Sequence, residues 1–107
     1  MQTRPAVEPG EKYDAEWIRF WLGRCEWLER THSLSSDGRW MAVFAIQWAP
    51  FGGAAAADLM ERFGVERERF LELVLTALAP RSSDLQRIRA VKSRLRASLE
   101  HAWRRIE

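Results

Sequence analysis

Two chain breaks divide the most apolar part of this sequence and limit the folds open to it. The apolar part covers residues 40–79, and its breaks are PFGG at residues 50–53 and FGV at residues 63–65. Proline cannot continue a helix, and glycine is the residue that most easily closes one in a left-handed conformation. We therefore predict three short helices. The short break between the last two is typical of a helix-turn-helix, whose second helix should begin near Glu66.

The length and composition favour one soluble globular domain. The chain has 107 residues, of which 47% are apolar and 30% are charged, and a chain of this size buries one modest core. Its apolar runs stop short of the roughly 18 residues that a membrane span needs. The first residues lack the apolar segment of a secretory signal, so we expect a cytoplasmic protein with no membrane partner. Early prolines and a glycine predict a disordered tail over 1–12, followed by a single helical domain over 13–107.

A tryptophan-rich amphipathic helix should begin after Asp14, whose side chain can cap it. Apolar residues fall on one face at helical spacing, and others fall on a second side. A stripe this wide indicates cover on more than one face, by the central helices or by another chain. We therefore expect a homodimer or a stable partner protein. The candidate contacts are Trp17, Trp21, Leu28, Leu71 and Leu75.

The remaining helices are predicted from their caps and apolar stripes. A serine-rich loop should lead into a helix that begins near residues 39–40 and is capped by Ser36 or Asp37. The last helix should run from about Asp84 to near Arg105 and dock through an apolar stripe, with arginines on its other faces. The sequence thus predicts an all-α fold of four or five helices, with a central trihelical helix-turn-helix unit and a basic C-terminal helix.

The basic charge is concentrated near the end of the chain. Residues 1–80 hold nine basic and twelve acidic side chains, a net charge of −3, whereas residues 81–107 hold eight basic and three acidic ones, a net charge of +5. Such a block suits a polyanion, although a solvated basic helix face is the commoner explanation. Fifteen of the seventeen basic residues are arginine, which indicates a GC-rich genome such as that of an actinobacterium or its phage.

Several features between residues 43 and 98 occur together. They are Phe44 and Trp48 on one helix, the glycines at 52–53, the turn at 63–65, Arg69 followed by Phe70, and the arginine-rich segment 84–96. In this combination, residues 43–98 resemble a small helix-turn-helix family of actinobacteria or their phages, a domain of unknown function. The resemblance implies a trihelical fold and a DNA-related role, and it supplies no catalytic residues. The tryptophan-rich helix lies outside it.

If the unit binds DNA, the first turns of the helix after the break should enter the major groove and present Arg67 and Arg69 there. Three glutamates share this region, and carboxylates are repelled by phosphates. The same helix is apolar nearly all round after its first turn, so a role in the core or in an interface is equally open. The candidate DNA-binding residues, including those of the C-terminal helix, are Arg62, Arg67, Arg69, Arg87, Arg89, Lys92, Arg94 and Arg96.

The sequence gives little support for a base-stacking, metal-binding or catalytic site. The tryptophans recur at helical intervals on apolar faces, which favours packing over stacking on nucleic-acid bases. Cys25, His32 and His101 are the only soft metal ligands and lack ligand spacing, so we expect no metal. No glycine-rich phosphate loop, nucleophile motif or helical pair of histidines points to catalysis. We expect no enzyme, no cofactor and no small-molecule substrate.

Two functions remain. The favoured one is a small DNA-binding transcription regulator that uses the helix-turn-helix and the basic C-terminal helix. The other is a protein-binding adaptor or inhibitor, in which residues 70–78 and the tryptophan-rich helix engage another protein. The turn motif and the basic C-terminal segment favour the first.

Overall fold

Hydrogen bonds and glycines close in sequence explain several of the helix ends. The computed structural model describes residues 12–104 and contains, in order, α1 Ala15–Arg30, α2 Ser36–Trp48, α3 Ala56–Phe63, α4 Arg67–Ala77 and α5 Gln86–Arg104. A 3-10 turn, Ala49–Phe51, follows α2. The all-α fold is confirmed, and this part of the chain contains no strand. The tail expected over 1–12 lies, apart from Lys12, outside the described residues.

Capping side chains fix the starts of the first two helices. The carboxylate of Asp14 accepts a hydrogen bond from the backbone N–H of Trp17 at 2.9 Å, as expected. The hydroxyl of Ser35 accepts one from the N–H of Gly38 at 3.0 Å, so α2 begins at Ser36, a few residues earlier than expected. Each cap satisfies an N–H that has no partner inside its helix.

The two chain breaks, at residues 50–53 and 63–65, adopt the backbone conformations expected of their proline and glycine residues. Pro50 lies in the 3-10 turn, after which Gly52 takes a left-handed φ of +77°. Gly64 closes α3 with a φ of +68°, and its N–H donates to the carbonyls of Leu59 and Met60. Glycine adopts this conformation without steric cost. Only three residues therefore join α3 to α4, which is the spacing of a helix-turn-helix.

The tryptophan-rich helix α1 is buried in the core of the chain itself. Its inner face consists of Trp17, Trp21, Cys25 and Leu28. This face packs mainly against α2 and also against α5, so helices of the same chain cover the stripe for which either the central helices or another chain was expected. Trp17, Trp21, Leu28 and Leu71, which were assigned to a dimer or partner interface, are all buried within one chain and so expose almost no surface to a partner. The homodimer or partner protein stays a prediction. Leu75 is half-buried against the same core.

Helices α1 and α5 lie side by side and run in opposite directions. Near one end of the pair, the hydroxyl of Tyr13 shares a 2.7 Å hydrogen bond with Nδ1 of His101. Near the other end, the guanidinium of Arg87 lies 5.9 Å from the ring centroid of Trp27. Residue numbers thus rise along α1 while those of its neighbours on α5 fall. This arrangement brings the basic C-terminal helix beside the tryptophan-rich one.

The five helices form one flattened body. The Cα radius of gyration is 14.0 Å and the principal extents are 42 × 36 × 21 Å; a compact domain of about 100 residues has a radius of gyration of about 13 Å. Among the helices described, none is both long and apolar enough to cross a membrane.

Candidate nucleic-acid interface

Arg67 occupies the first position of α4, where a helix-turn-helix would present it to DNA, but its guanidinium points into the protein. Nη1 donates to the carbonyl of Ala54 at 3.3 Å, while Nη2 donates to the carbonyl of Gly52 at 2.6 Å and to that of Trp103. The guanidinium also lies over the Trp103 ring, 5.1 Å from its centroid. The expectation that Arg67 contacts DNA is therefore corrected, because three carbonyl oxygens hold its side chain inside the fold.

Gly53 provides the room that the Arg67 contacts require. A Cβ atom at this position would overlap the guanidinium of Arg67 and lie 2.8 Å from Cε3 of Trp103. The φ of Gly53 is +113°, a conformation that residues with side chains rarely adopt. The first glycine break therefore does more than end α2, since it lets an arginine from α4 pass to the end of α5.

The exposed face of α4 is acidic. Its exposed carboxylates, with the one just before the helix, are those of Glu66, Glu68 and Glu72. Arg69 is exposed on the same helix and pairs with Glu72 at 3.1 Å. On α3, the guanidinium of Arg62 lies over the ring of Phe44, 5.5 Å from its centroid. The three arginines expected to serve the helix-turn-helix do not form a basic surface, and the carboxylates around them repel phosphates.

Lys92 requires a second correction. Its side chain is 0% exposed, and Nζ donates to Oδ2 of Asp84 at 2.7 Å. The same oxygen accepts the backbone N–H of Arg81 at 2.8 Å. These two hydrogen bonds, first that of Lys92, hold the pKa of Asp84 below its ordinary value. Lys92 thus ties the α4–α5 loop to α5 and does not reach a phosphate.

The arginines of α5 divide between two sides of the helix. Arg87 and Arg94 are two helical turns apart, and both lie against tryptophan rings of α1. Arg89 and Arg96 each follow two residues later, about 200° round the helix, and so face another side. There, Nε of Arg96 donates to the carbonyl of Leu75 at 2.9 Å, near the end of α4. Arg87 and Arg94 therefore form a row beside α1.

Side chains of α1 complete a basic and aromatic surface along this row. We define this surface, the α1–α5 seam, as Phe20, Arg24, Trp27, Arg87 and Arg94. The guanidinium of Arg24 lies 5.0 Å from the ring centroid of Phe20 and 5.9 Å from that of Trp27. The guanidinium of Arg94 lies 5.6 Å from the centroid of the buried Trp21 ring. Such contacts restrict the positions of an arginine while its remaining donors stay available.

No carboxylate is among the described residues that line the cavity between the two helices of the seam. This cavity of about 380 Å³ is lined by Arg24, Trp27, Arg87, Ala90 and Val91. On the other sides of α1, Glu26 and Glu29 pair with Arg30 and Arg39 at 3.9 and 3.1 Å. Over residues 12–104, none of the three seam arginines forms an ion pair. The seam therefore brings together three arginines that no carboxylate of the described residues pairs with.

The sequence pointed to Arg87 and Arg94 but not to the α1 half of the seam. A signal was present, because Arg24 follows Phe20 by four residues and precedes Trp27 by three, which places all three on one side of a helix. The net negative charge of residues 1–80 concealed it. Part of that charge belongs to carboxylates of α2, α3 and α4 and to Glu26 and Glu29 on other sides of α1.

Three large apolar side chains are exposed on α2, α3 and the turn between them. Trp40, Phe51 and Met60 are 54%, 73% and 52% exposed, and we call these three residues the apolar face. The ring of Trp40 packs on that of Phe63 with centroids 4.7 Å apart. The expectation that the tryptophans serve packing is thus incomplete, because Trp40 both packs and remains half in solvent.

The thiol of Cys25 lies in the core of the protein. Burial raises the pKa of the Cys25 thiol to about 12, so the nucleophilic thiolate is scarce at neutral pH. No group of three His, Cys, Asp or Glu side chains within residues 12–104 is placed to hold a metal ion. Comparisons with protein-family models, curated proteins and solved structures found no match for this chain. The resemblance to a helix-turn-helix family stays a prediction.

Proposed function

We propose that this protein binds DNA and that the α1–α5 seam, rather than the helix-turn-helix, makes the contact. The main support is the convergence of Arg24, Arg87 and Arg94 from two antiparallel helices, where none of the three forms an ion pair with a carboxylate of residues 12–104. Phosphates suit such a surface, because each guanidinium offers a planar fork of donors that matches phosphate oxygens. Backbone contacts of this kind position a protein on the duplex and carry no direct sequence information.

We propose further that the protein regulates transcription and is located in the cytoplasm. Regulation requires sequence selectivity, which depends on side chains that reach base edges or on the shape of the duplex. The exposed residues of α4 are mainly carboxylates, and a glutamate can accept a hydrogen bond from cytosine but repels phosphates. Competition by unrelated duplexes measures whether any selectivity exists.

The test is a fluorescence-anisotropy titration of a labelled duplex at several salt concentrations. Each phosphate that the protein neutralises contributes about −0.9 to the slope of log affinity against log salt. Arg24→Gln combined with Arg94→Gln should therefore make the slope shallower by about 1.8. Arg87 is retained because it also lines a second cavity.

The matched control combines Arg62→Gln with Arg69→Gln, which removes the same charge from the helix-turn-helix. This control should leave the slope unchanged. A shallower slope in the control, with no change in the seam variant, would place the contact on α3 and α4 and overturn the proposed surface. Absence of duplex binding at low salt would remove DNA binding altogether.

A protein-binding module is the second candidate, and the apolar face favours it. The helices first considered for this role are buried on their apolar sides, whereas Trp40, Phe51 and Met60 are exposed. Aromatic and methionine side chains are enriched in protein interfaces. A second copy of the chain is the partner that can be tested directly. Light scattering should then show a dimer for the native chain and a monomer after Trp40→Glu with Phe51→Glu, and a native monomer at every concentration would exclude the homodimer.

A further inference from the structure

A second cavity opens where α1 ends, and it continues the seam. Its volume is about 320 Å³, and Trp27 and Arg87 line both this cavity and the one between α1 and α5. Three segments meet around it: the end of α1 with the following loop, the α4–α5 loop and the first turn of α5. We call this space the loop cavity. Residues far apart in the chain therefore share one site.

The charges around the loop cavity favour an anion. Arg81 and Arg87 line it from two different segments, and His32 lines it from a third. Asp84 is the one carboxylate among its described lining residues, and the buried Lys92 already neutralises it at 2.7 Å. The side chain of Arg81 is 53% exposed, and its polar contacts within residues 12–104 are long, at 3.9 Å to Asp84 and 3.4 Å to the carbonyl of His32. Its guanidinium therefore keeps donors for a ligand.

The backbone of His32 adds an independent observation. Its φ is +62°, the left-handed conformation in which glycine is usual after a helix. Its N–H donates to the carbonyl of Glu29 at 2.9 Å, and the N–H of Ser33 donates to that of Leu28 at 2.8 Å. This hydrogen-bond pattern closes many helices and is most easily made by glycine. An imidazole stands there instead, at the wall of the loop cavity.

We propose that the loop cavity binds a phosphomonoester. At neutral pH a phosphomonoester carries a charge of about −1.5 to −2 and three strong acceptor oxygens, which match two guanidinium groups and an imidazole better than a diester does. The volume leaves room for an organic group beside the phosphate, and Trp27, Leu85 and Ile88 provide an apolar wall for it. A free nucleotide and a phosphorylated DNA end both supply this chemistry. Of these two ligands, only the DNA end depends on the proposed DNA-binding function.

Isothermal titration calorimetry compares the affinity for a whole nucleotide with the affinities for its phosphate and its nucleoside. Adenosine 5′-monophosphate, inorganic phosphate and adenosine are titrated into the full chain. The nucleotide should bind at least about tenfold more tightly than either part, because the guanidinium groups and the apolar wall then act together. Equal binding of inorganic phosphate and nucleotide would overturn the proposal, since the wall would contribute nothing. Absence of nucleotide binding would overturn it for free nucleotides.

The DNA-end source is tested with one duplex prepared with either a 5′-phosphate or a 5′-hydroxyl. A preference for the phosphorylated duplex identifies the strand end as a ligand, whereas nucleotide binding without this preference identifies free nucleotides. If neither ligand prefers its phosphorylated form, the loop cavity is not a phosphomonoester site. The effect of Arg24→Gln with Arg94→Gln on the salt slope is independent of this outcome. The proposed DNA contact at the seam is therefore tested separately from the loop cavity.

Two variants connect the binding to the cavity. Arg81→Gln should reduce nucleotide affinity by at least about tenfold. His32→Gly should also weaken binding while it keeps or raises the thermal midpoint, because glycine relieves the left-handed conformation. Arg89→Gln, on another side of α5, is the charge-matched control and should bind as the native chain does. Full nucleotide binding by both cavity variants would overturn the proposal.

Discussion

At the scale of single residues, Arg67 is the side chain whose position has the largest consequence. Its guanidinium joins the turn after α2 to the end of α5 through the carbonyls of Gly52, Ala54 and Trp103. Arg67→Ala should lower the free energy of unfolding by about 3 kcal/mol, because it removes hydrogen bonds made by a charged group and leaves carbonyls without a donor. Urea denaturation followed by circular dichroism measures this change.

Arg69→Ala, two residues along the same helix, is the control for Arg67→Ala. Arg69 and its partner Glu72 are both largely exposed, so its loss should change the free energy of unfolding by no more than about 0.5 kcal/mol. If both variants are equally stable, the guanidinium of Arg67 does not hold the segments together, and Arg67 returns to the candidates for DNA contact.

Asp84 gives the chain a predictable response to acid. Hydrogen bonds from Lys92 and then from Arg81 lower the pKa of Asp84 from its ordinary value of 3.8. A group whose pKa is lowered by folding stabilises the fold above its unfolded pKa, and this stabilisation disappears as the pH falls through the folded pKa. Asp84→Asn should therefore be less stable than the native chain at neutral pH, and the difference should shrink below about pH 4.

The pH experiment compares urea midpoints of the two proteins from neutral to acidic pH. Both should still lose some stability in acid, because hydrogen bonds from Ser36 and Arg39 lower the pKa of Glu29 as well. Glu29→Gln is the control, and it should leave the acid response of Asp84 in place. A difference between native chain and Asp84→Asn that stays constant across the range would show that the Asp84–Lys92 pair does not respond to acid in this way.

At the scale of elements, a substitution in α1 distinguishes packing of its apolar face in the core of the chain from packing against a partner. Leu28 is completely buried between α1 and its neighbours, so Leu28→Ala should lower the free energy of unfolding by about 2–5 kcal/mol. Leu85→Ala is the control, because Leu85 is 72% exposed and its loss should cost about 0.5 kcal/mol or less. Guanidinium chloride unfolding at several protein concentrations measures both. A stability that depends on concentration and a small loss for Leu28→Ala would instead indicate an interface.

The elements were predictable where their ends depend on neighbours in sequence. Asp14 and Gly64 make their capping contacts within a few residues of their own positions, so both can be identified from the sequence. The candidate site was less predictable, because the direction of an arginine depends on partners far along the chain. Arg67 meets a carbonyl 36 residues away, whereas Arg24 takes its place in the seam only when α5 packs beside α1. Charge patterns locate cations in sequence but not the groups that they meet.

At the scale of the whole molecule, the end of α5 determines whether the helices unfold as one unit. The Trp103 ring packs on Phe70 of α4 with centroids 5.3 Å apart, and its Nε1 donates to the carbonyl of Ala45 in α2 at 3.0 Å. Its own carbonyl accepts from Arg67. One residue therefore connects three helices. Trp103→Ala should lower the free energy of unfolding by about 3–5 kcal/mol, a large share of the roughly 5–15 kcal/mol that stabilises a domain.

Three variants of the end of α5 divide the contribution of Trp103 into its parts. Trp103→Phe keeps an aromatic ring against Phe70 but leaves the buried carbonyl of Ala45 without its donor, so it should cost about 1–3 kcal/mol and fall between the native chain and Trp103→Ala. Arg104→Ala is the control, because Arg104 is exposed and pairs only with Glu100 among the described residues, and it should change stability by about 0.5 kcal/mol or less. Urea unfolding followed by far-ultraviolet circular dichroism and by tryptophan fluorescence should give coincident transitions for the native chain, since its helices share one core. A Trp103→Ala protein that keeps the native midpoint would show that α5 is dispensable for the core, and the seam on its outer side would then lack a rigid support.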